Sequence, residues 1–255
     1  MANAHGADRG IRLDFSRLVT IVIFASIAVI ILGIFRELVI WQIGLDTPLM
    51  DLRHFALDTE LALPSWYSTT LLLVCAALLY LIARATRADG GRDWGRWMML
   101  SVIFLLMSLD EAASFHEVLM RPMRSAFDAT GIFYYTWVVP GAIGVLVLGL
   151  YFLPFVLRLP RSTAAWIVLA GMLYVGGALG LELFGGAFDE AWGTASLPYI
   201  FVSVLEESLE IAGLSVFVMA LCTHIGTQWR ALDVTVLAEA PWGARAGTGR
   251  TADAA

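Results

Sequence analysis

The chain has 255 residues, 59% of them hydrophobic and only 15% charged, with a mean hydropathy of +0.78. A soluble globular domain carries roughly 25% charged residues, so this composition excludes one and points to lipid as the solvent. All 16 basic residues are arginines and the net charge is −6, a balance that gives no footing to nucleic-acid binding and leaves many carboxylates to be accounted for.

In chain order, residues 1–17 read as a cytoplasmic N-terminal segment, 18–225 as a six-span transmembrane domain and 226–255 as a flexible cytoplasmic tail. The fold class is therefore all-α, a polytopic six-helix transmembrane bundle. The first apolar run, Leu18 to Ile34, is long and has no small-residue cleavage site, so it reads as a retained span near 18–40 rather than a secretory signal. Further spans fall near 67–84, 97–120, 134–157, 164–185 and 198–223. The third has thirteen uncharged residues, Trp97 to Leu109, before it meets Asp110 and Glu111, and the sixth is interrupted after Leu205 by Glu206 and Glu207. Cys75 and Cys222 lie inside apolar runs without metal or redox spacing and read as packing residues.

Arginine placement decides the span count. With six spans, twelve arginines fall on the side of both termini, against Arg53, Arg121 and Arg124 opposite and Arg36 near that boundary. Without the third span the division is nine against six. The positive-inside rule thus favours six spans with both termini in the cytoplasm of a bacterial inner membrane. Trp41, Trp66, Tyr67, Tyr134, Tyr135, Trp137, Trp192 and Tyr199 then mark the outer interface.

Once direction is fixed, the acids converge. Asp110, Glu111, His116 and Glu117 occupy the outer half of the third span, Glu206, Glu207 and Glu210 the outer half of the sixth, and Glu182 the outer end of the fifth. At roughly 100° per residue, Asp110, Ser114 and Glu117 form one stripe with His116 pointing elsewhere; Ser203, Glu206, Glu207 and Glu210 form another. Gly176 and Gly180 have the small-x-x-x-small spacing that lets a neighbouring helix approach, which plain helix packing also explains. Five unpaired carboxylates at roughly 2.5–3.5 kcal/mol each cost on the order of 12–17 kcal/mol, rivalling a whole fold's stability of roughly 5–15 kcal/mol. Protons, pairing with Arg36 or His116, a wet cavity or a bound cation must compensate.

Asp110, Glu111, His116, Glu117, Glu182, Glu206, Glu207 and Glu210 are accordingly the candidate cation ligands. Oxygen-rich donors with so few imidazoles suit a divalent ion such as Mn, Fe or Ca better than catalytic zinc, and there is no nucleotide motif. A di-iron centre ranks second, because its usual Glu-x-x-His spacing is missing. Divalent-metal or proton transport is the first expectation. A metal-dependent enzyme acting on lipid or quinone, and a non-catalytic assembly or sensing subunit, are the alternatives. Splitting the chain after the third span gives two three-helix halves of opposite orientation, each ending in its acidic helix, as in inverted-repeat transporters. Six spans are few for a transporter, so a homodimer is expected. The loop 44–64 carries Asp46, Asp51, Asp58 and Glu60 and reads as a solvated acidic loop.

Ser108-Leu109-Asp110-Glu111 with His116-Glu117, and Leu205-Glu206-Glu207 with Glu210, give the patterns SLDE-x4-HE and LEE-x2-E. With Leu57-Asp58-Thr59-Glu60, Pro64 to Ser68, Gly176-Gly177 and Gly180-Leu181-Glu182, they resemble an uncharacterised family of multi-span bacterial membrane proteins over residues 57–210. The resemblance implies an architecture and no reaction.

Overall fold

A computed structural model describes residues 14–43, 50–59 and 61–229; for Met50, Asp51, Glu117, Leu119 and Arg121 it describes the backbone alone. Residues 230–255 of the expected tail, most of the N-terminal segment, and Asp46 and Glu60 of the acidic loop lie outside the described residues, while residues 226–228, expected in that tail, are helical. All regular structure among the described residues is helical: α1 (Phe15–Ile43), α2 (Leu63–Ala88), α3 (Trp94–Ala113), α4 (Phe115–Phe127), α5 (Val138–Val156), α6 (Arg161–Val175), α7 (Glu182–Trp192) and α8 (Leu197–Gln228). One wide π-helical stretch, Gly176–Leu181, joins α6 to α7 as a single rod.

Five of these elements, α1, α2, α5, the α6–α7 rod and α8, are long and apolar enough to cross a bilayer, which makes this a membrane protein by composition. The 20 residues of α3 reach about 30 Å, but Arg96, Asp110 and Glu111 keep α3 out of that set. α1 illustrates the local logic. Its buried residues Val22, Ser26, Val29, Gly33 and Glu37 recur every three or four positions, while Ile21, Phe24, Ile31 and Phe35 are exposed as a lipid-facing surface must be. Just outside its first turn, the Asp14 carboxylate accepts the Ser16 hydroxyl at 2.8 Å and the Arg17 amide at 3.1 Å, and these bonds hold it below the usual carboxylate range.

α8 is the hub, packing on α1, α2, α6 and α7 and burying Ile211, Leu214, Val218, Leu221 and Ile225. A hydroxyl clasp ties three helices together. Ser26 of α1 lies 2.8 Å from the Tyr67 hydroxyl of α2 and 2.7 Å from the Ser215 hydroxyl of α8, and Tyr67 donates to the Val22 carbonyl at 3.0 Å. Tyr67, expected at the interface, is instead a buried strut. Interhelical bonds of this kind contribute about 0.6 kcal/mol on average in bilayers and up to about 1.7. We expect Tyr67→Phe to destabilise by about 1 kcal/mol in denaturant unfolding, and no measurable loss would show that the clasp is energetically idle.

The expected single helix over 97–120 is corrected. It stops at Ala113, Ser114 takes a left-handed conformation (φ 52°, ψ 39°), and α4 starts afresh at Phe115. The cause is local competition for the backbone: Asp110 captures the His116 amide with one carboxylate oxygen while its carbonyl receives the Ser114 amide at 2.6 Å. Because Ser114 pays for a positive φ, Ser114→Gly should stabilise by about 0.5–1 kcal/mol, and Ser114→Val should destabilise by more. A chemical-denaturation series in which Val is the better tolerated of the two would refute the assignment of strain to this residue.

Candidate functional site

At the end of the bundle where α3 and α7 approach their C-termini and α2, α5 and α8 begin, a cavity of about 430 Å³ opens. α8 contributes Tyr199, Ser203, Glu206, Glu207 and Glu210 to its wall; α3 contributes Asp110 and Glu111, α4 His116, α7 Glu182 and α6 Tyr174. Asp58, Tyr135 and Trp137 also line it. Seven of the eight residues singled out in the sequence therefore meet at one cavity. The side chain of the eighth, Glu117, lies outside the described residues.

The acids are held in different ways. Asp110 receives the His116 amide at 3.0 Å, and its second oxygen lies 3.0 Å from His116 Nδ1. This corrects the expectation that His116 points away: the helix break at Ser114 swings the ring back, so that it also lies 4.9 Å from the Trp137 ring. Trp137 donates its indole N–H to Glu182 at 2.9 Å. Glu182 is in turn an electrostatic neighbour of Glu206. Glu207 and Glu210 are electrostatic neighbours of each other and of Glu111.

Arg36, a candidate partner from the sequence, pairs with its neighbour Glu37 at 2.5 Å. Arg124 donates to the Tyr134 carbonyl at 2.8 Å and lies 3.5 Å over the Tyr134 ring. Among the described residues no arginine forms an ion pair with Glu206, Glu207 or Glu210. Nor do any three His, Cys, Asp or Glu side chains among them come together closely enough to hold a metal ion, so a metal would have to draw the carboxylates inward. The two cysteines are free and buried, as packing residues are.

Two glycines bring the acidic helix against its neighbour. A Cβ on Gly177 would stand 2.8 Å from the Glu206 carbonyl oxygen and 3.0 Å from Glu210 Cγ, and one on Gly213 only 2.7 Å from the Tyr174 amide nitrogen. Gly176 and Gly180, the pair suggested by spacing, have open space instead. Gly177 stands three residues after Tyr174 and seven after Ala170, the α-helical spacing that puts all three on the face turned to α8.

Four aromatic residues escaped the sequence reading as parts of the site. Tyr135, Trp137 and Tyr199, expected at the outer interface, each line the cavity. Tyr135 donates to Asp189 at 2.8 Å, and burial, with Tyr199 and Asp189 beside it, pushes its phenol well above the ordinary tyrosine range, so it remains a donor. Tyr174 carried a usable signal: it stands eight residues before Glu182, a helical repeat that shares a face, and is a polar group inside an apolar span. Asp58, taken for part of a solvated loop, reaches the cavity rim.

Residues 20–225 match the family described as domain of unknown function DUF8692, and the chain belongs to that family. No curated protein and no solved structure matches the chain.

Proposed function

We propose that this is a six-span protein of the bacterial inner membrane, with both termini cytoplasmic, whose outward-facing carboxylate pocket binds a cation and moves it, or protons in exchange for it, across the bilayer. The observation that carries the reading is the gathering of Asp110, Glu111, Glu182, Glu206, Glu207 and Glu210, from three helices, around one cavity whose described lining contains no arginine. Like charges in so confined a space are not all ionised without positive charge among them, and in this reading a proton or a bound cation supplies it beside Glu206, Glu207 and Glu210. The six-span count treats α3 as a span whose acids are sheltered by the cavity, the setting in which intramembrane ionisable groups are tolerated. Arg17, Arg84, Arg87, Arg92, Arg96, Arg158 and Arg161 lie at the opposite end of the bundle, in keeping with a cytoplasmic face there.

Protons and a divalent ion such as manganese both remain within this reading, and flux separates them. Purified protein in liposomes loaded with a pH-sensitive and a manganese-sensitive dye should carry one of the two under an imposed gradient. The Glu206→Gln, Glu210→Gln variant should not. Equal flux through wild type and variant would remove transport by this pocket from consideration.

A further inference from the structure

The cavity is larger and more varied than a site for a bare ion requires. Its volume of about 430 Å³ falls within the range of small-molecule pockets, roughly 300–1,000 Å³. It also has two unlike walls. Glu206, Glu207 and Glu210 of α8, with Glu182 of α7, form an acidic one; Ile103 and Met107 of α3, with Val145 and Leu148 of α5, form an apolar one. Ile103 lies seven residues before Asp110, which carries the apolar wall about 10 Å further toward the bundle centre than the acids of α3.

Two observations independent of the acids point to an organic ligand. Ser203 is only 7% exposed, yet lines the cavity, and among the described residues its hydroxyl makes no hydrogen bond, so a buried polar group is left facing the space without a protein partner. Rings of Tyr135, Trp137, Tyr174 and Tyr199 line the same space, the residue types that favour an ammonium group over water. The apolar wall is also a seam. α5 packs along α6 and the π-helical stretch, and it meets α3 at the far end of the bundle, where the Trp97 and Phe155 rings lie 4.9 Å apart. Val145 and Leu148 are 40% and 37% exposed while lining the cavity, so this apolar wall is not closed over by packing.

We propose that the ligand of this pocket is an amphiphilic organic cation, an alkylammonium whose head sits among the α8 carboxylates and whose chain lies along the α3–α5 wall. This rests on the cation-pocket reading above and names the substrate class. A phospholipid amine is the poorer fit, since its phosphate would enter a cavity whose described lining offers carboxylates and no arginine to receive it.

The test is titration calorimetry of the full-length protein in neutral lipid nanodiscs, with protein-free discs subtracted. The probes are dodecyltrimethylammonium, hexyltrimethylammonium and a nonionic dodecyl glycol ether, and manganese and proton binding are followed in the same discs. Dodecyltrimethylammonium should saturate at one per chain, bind roughly a hundredfold or more tighter than the hexyl compound as its added methylenes are buried, and outcompete the nonionic ether. In Glu207→Gln, Glu210→Gln its affinity should fall at least about tenfold, and in Ile103→Ala, Leu148→Ala the dependence on chain length should flatten. The charged, short and uncharged probes compare on wild type alone, so the result does not hang on a variant that misfolds. Equal binding of the ionic and nonionic amphiphiles, or none by either, overturns the inference. If manganese or protons still bind through the carboxylates in that case, the cation pocket stands without it; if no cation binds, both fall.

Discussion

Gly213→Leu is expected to cost about 3 kcal/mol or more and to lower the melting temperature of the purified protein by several degrees. A Cβ at this position would lie 2.7 Å from the Tyr174 amide nitrogen, 3.0 Å from the Ala170 carbonyl oxygen and 3.0 Å from Tyr174 Cα. All three obstacles are backbone, so no rotamer change relieves them and α6 must move bodily away from α8. In lipid there is little hydrophobic drive to hold helices together, so lost contact along this crossing is not regained elsewhere. The same displacement would withdraw Tyr174 from the acidic wall, so cation binding should weaken together with stability. Gly226 is the control, on the same helix with nothing within 4 Å of its would-be Cβ. Gly226→Ala should be neutral or stabilising by up to about 1 kcal/mol. A Gly213→Leu protein that melts with the wild type would mean that the α6–α8 approach is not as close as described.

Glu206→Gln with Glu210→Gln is expected to do the reverse to stability while removing function. Each charge-assisted contact is worth about 1.5–3 kcal/mol, so losing two should weaken cation binding on the order of a hundredfold or more. Stability should hold or rise, because two crowded acids without an arginine partner are replaced by neutral groups of nearly the same shape. That divergence separates a binding site from a structural one. If the acids served to lock α8 against α7, the double variant would unfold more readily, and a drop in melting temperature with binding intact would establish that role.

The convergence of the acids was legible in the sequence because it depends on two robust quantities, the direction of each helix and the rise per residue. Asp110 and Glu206 share a depth for that reason alone, and the cavity places both on its wall. What could not be read depends on local backbone choices. His116 reaches Asp110 only because Ser114 leaves the helix, and a serine between two alanines and a phenylalanine does not announce a positive φ. The close approach falls at Gly177 rather than Gly176 because Gly177 shares the helix face of Ala170 and Tyr174, which the small-x-x-x-small spacing alone does not reveal. Aromatic residues near a span boundary satisfy the interface rule whether they face headgroups or a cavity, which is why Tyr135, Trp137 and Tyr199 were assigned to the outer belt. Tyr174, buried mid-span, was the exception that could have been caught.

The most direct test of the cation pocket is a count of protons released when charge is added. Wild type and the Glu206→Gln, Glu210→Gln variant would be placed in nanodiscs in weakly buffered medium and titrated with manganese and, separately, with dodecyltrimethylammonium. Carboxyls that share protons in the empty pocket must give them up to an incoming cation. The account predicts stoichiometric proton release from wild type with at least one of the two probes, and much less from the variant. Wild-type protein that releases no proton to either probe, or a variant that releases as many as wild type, would contradict it.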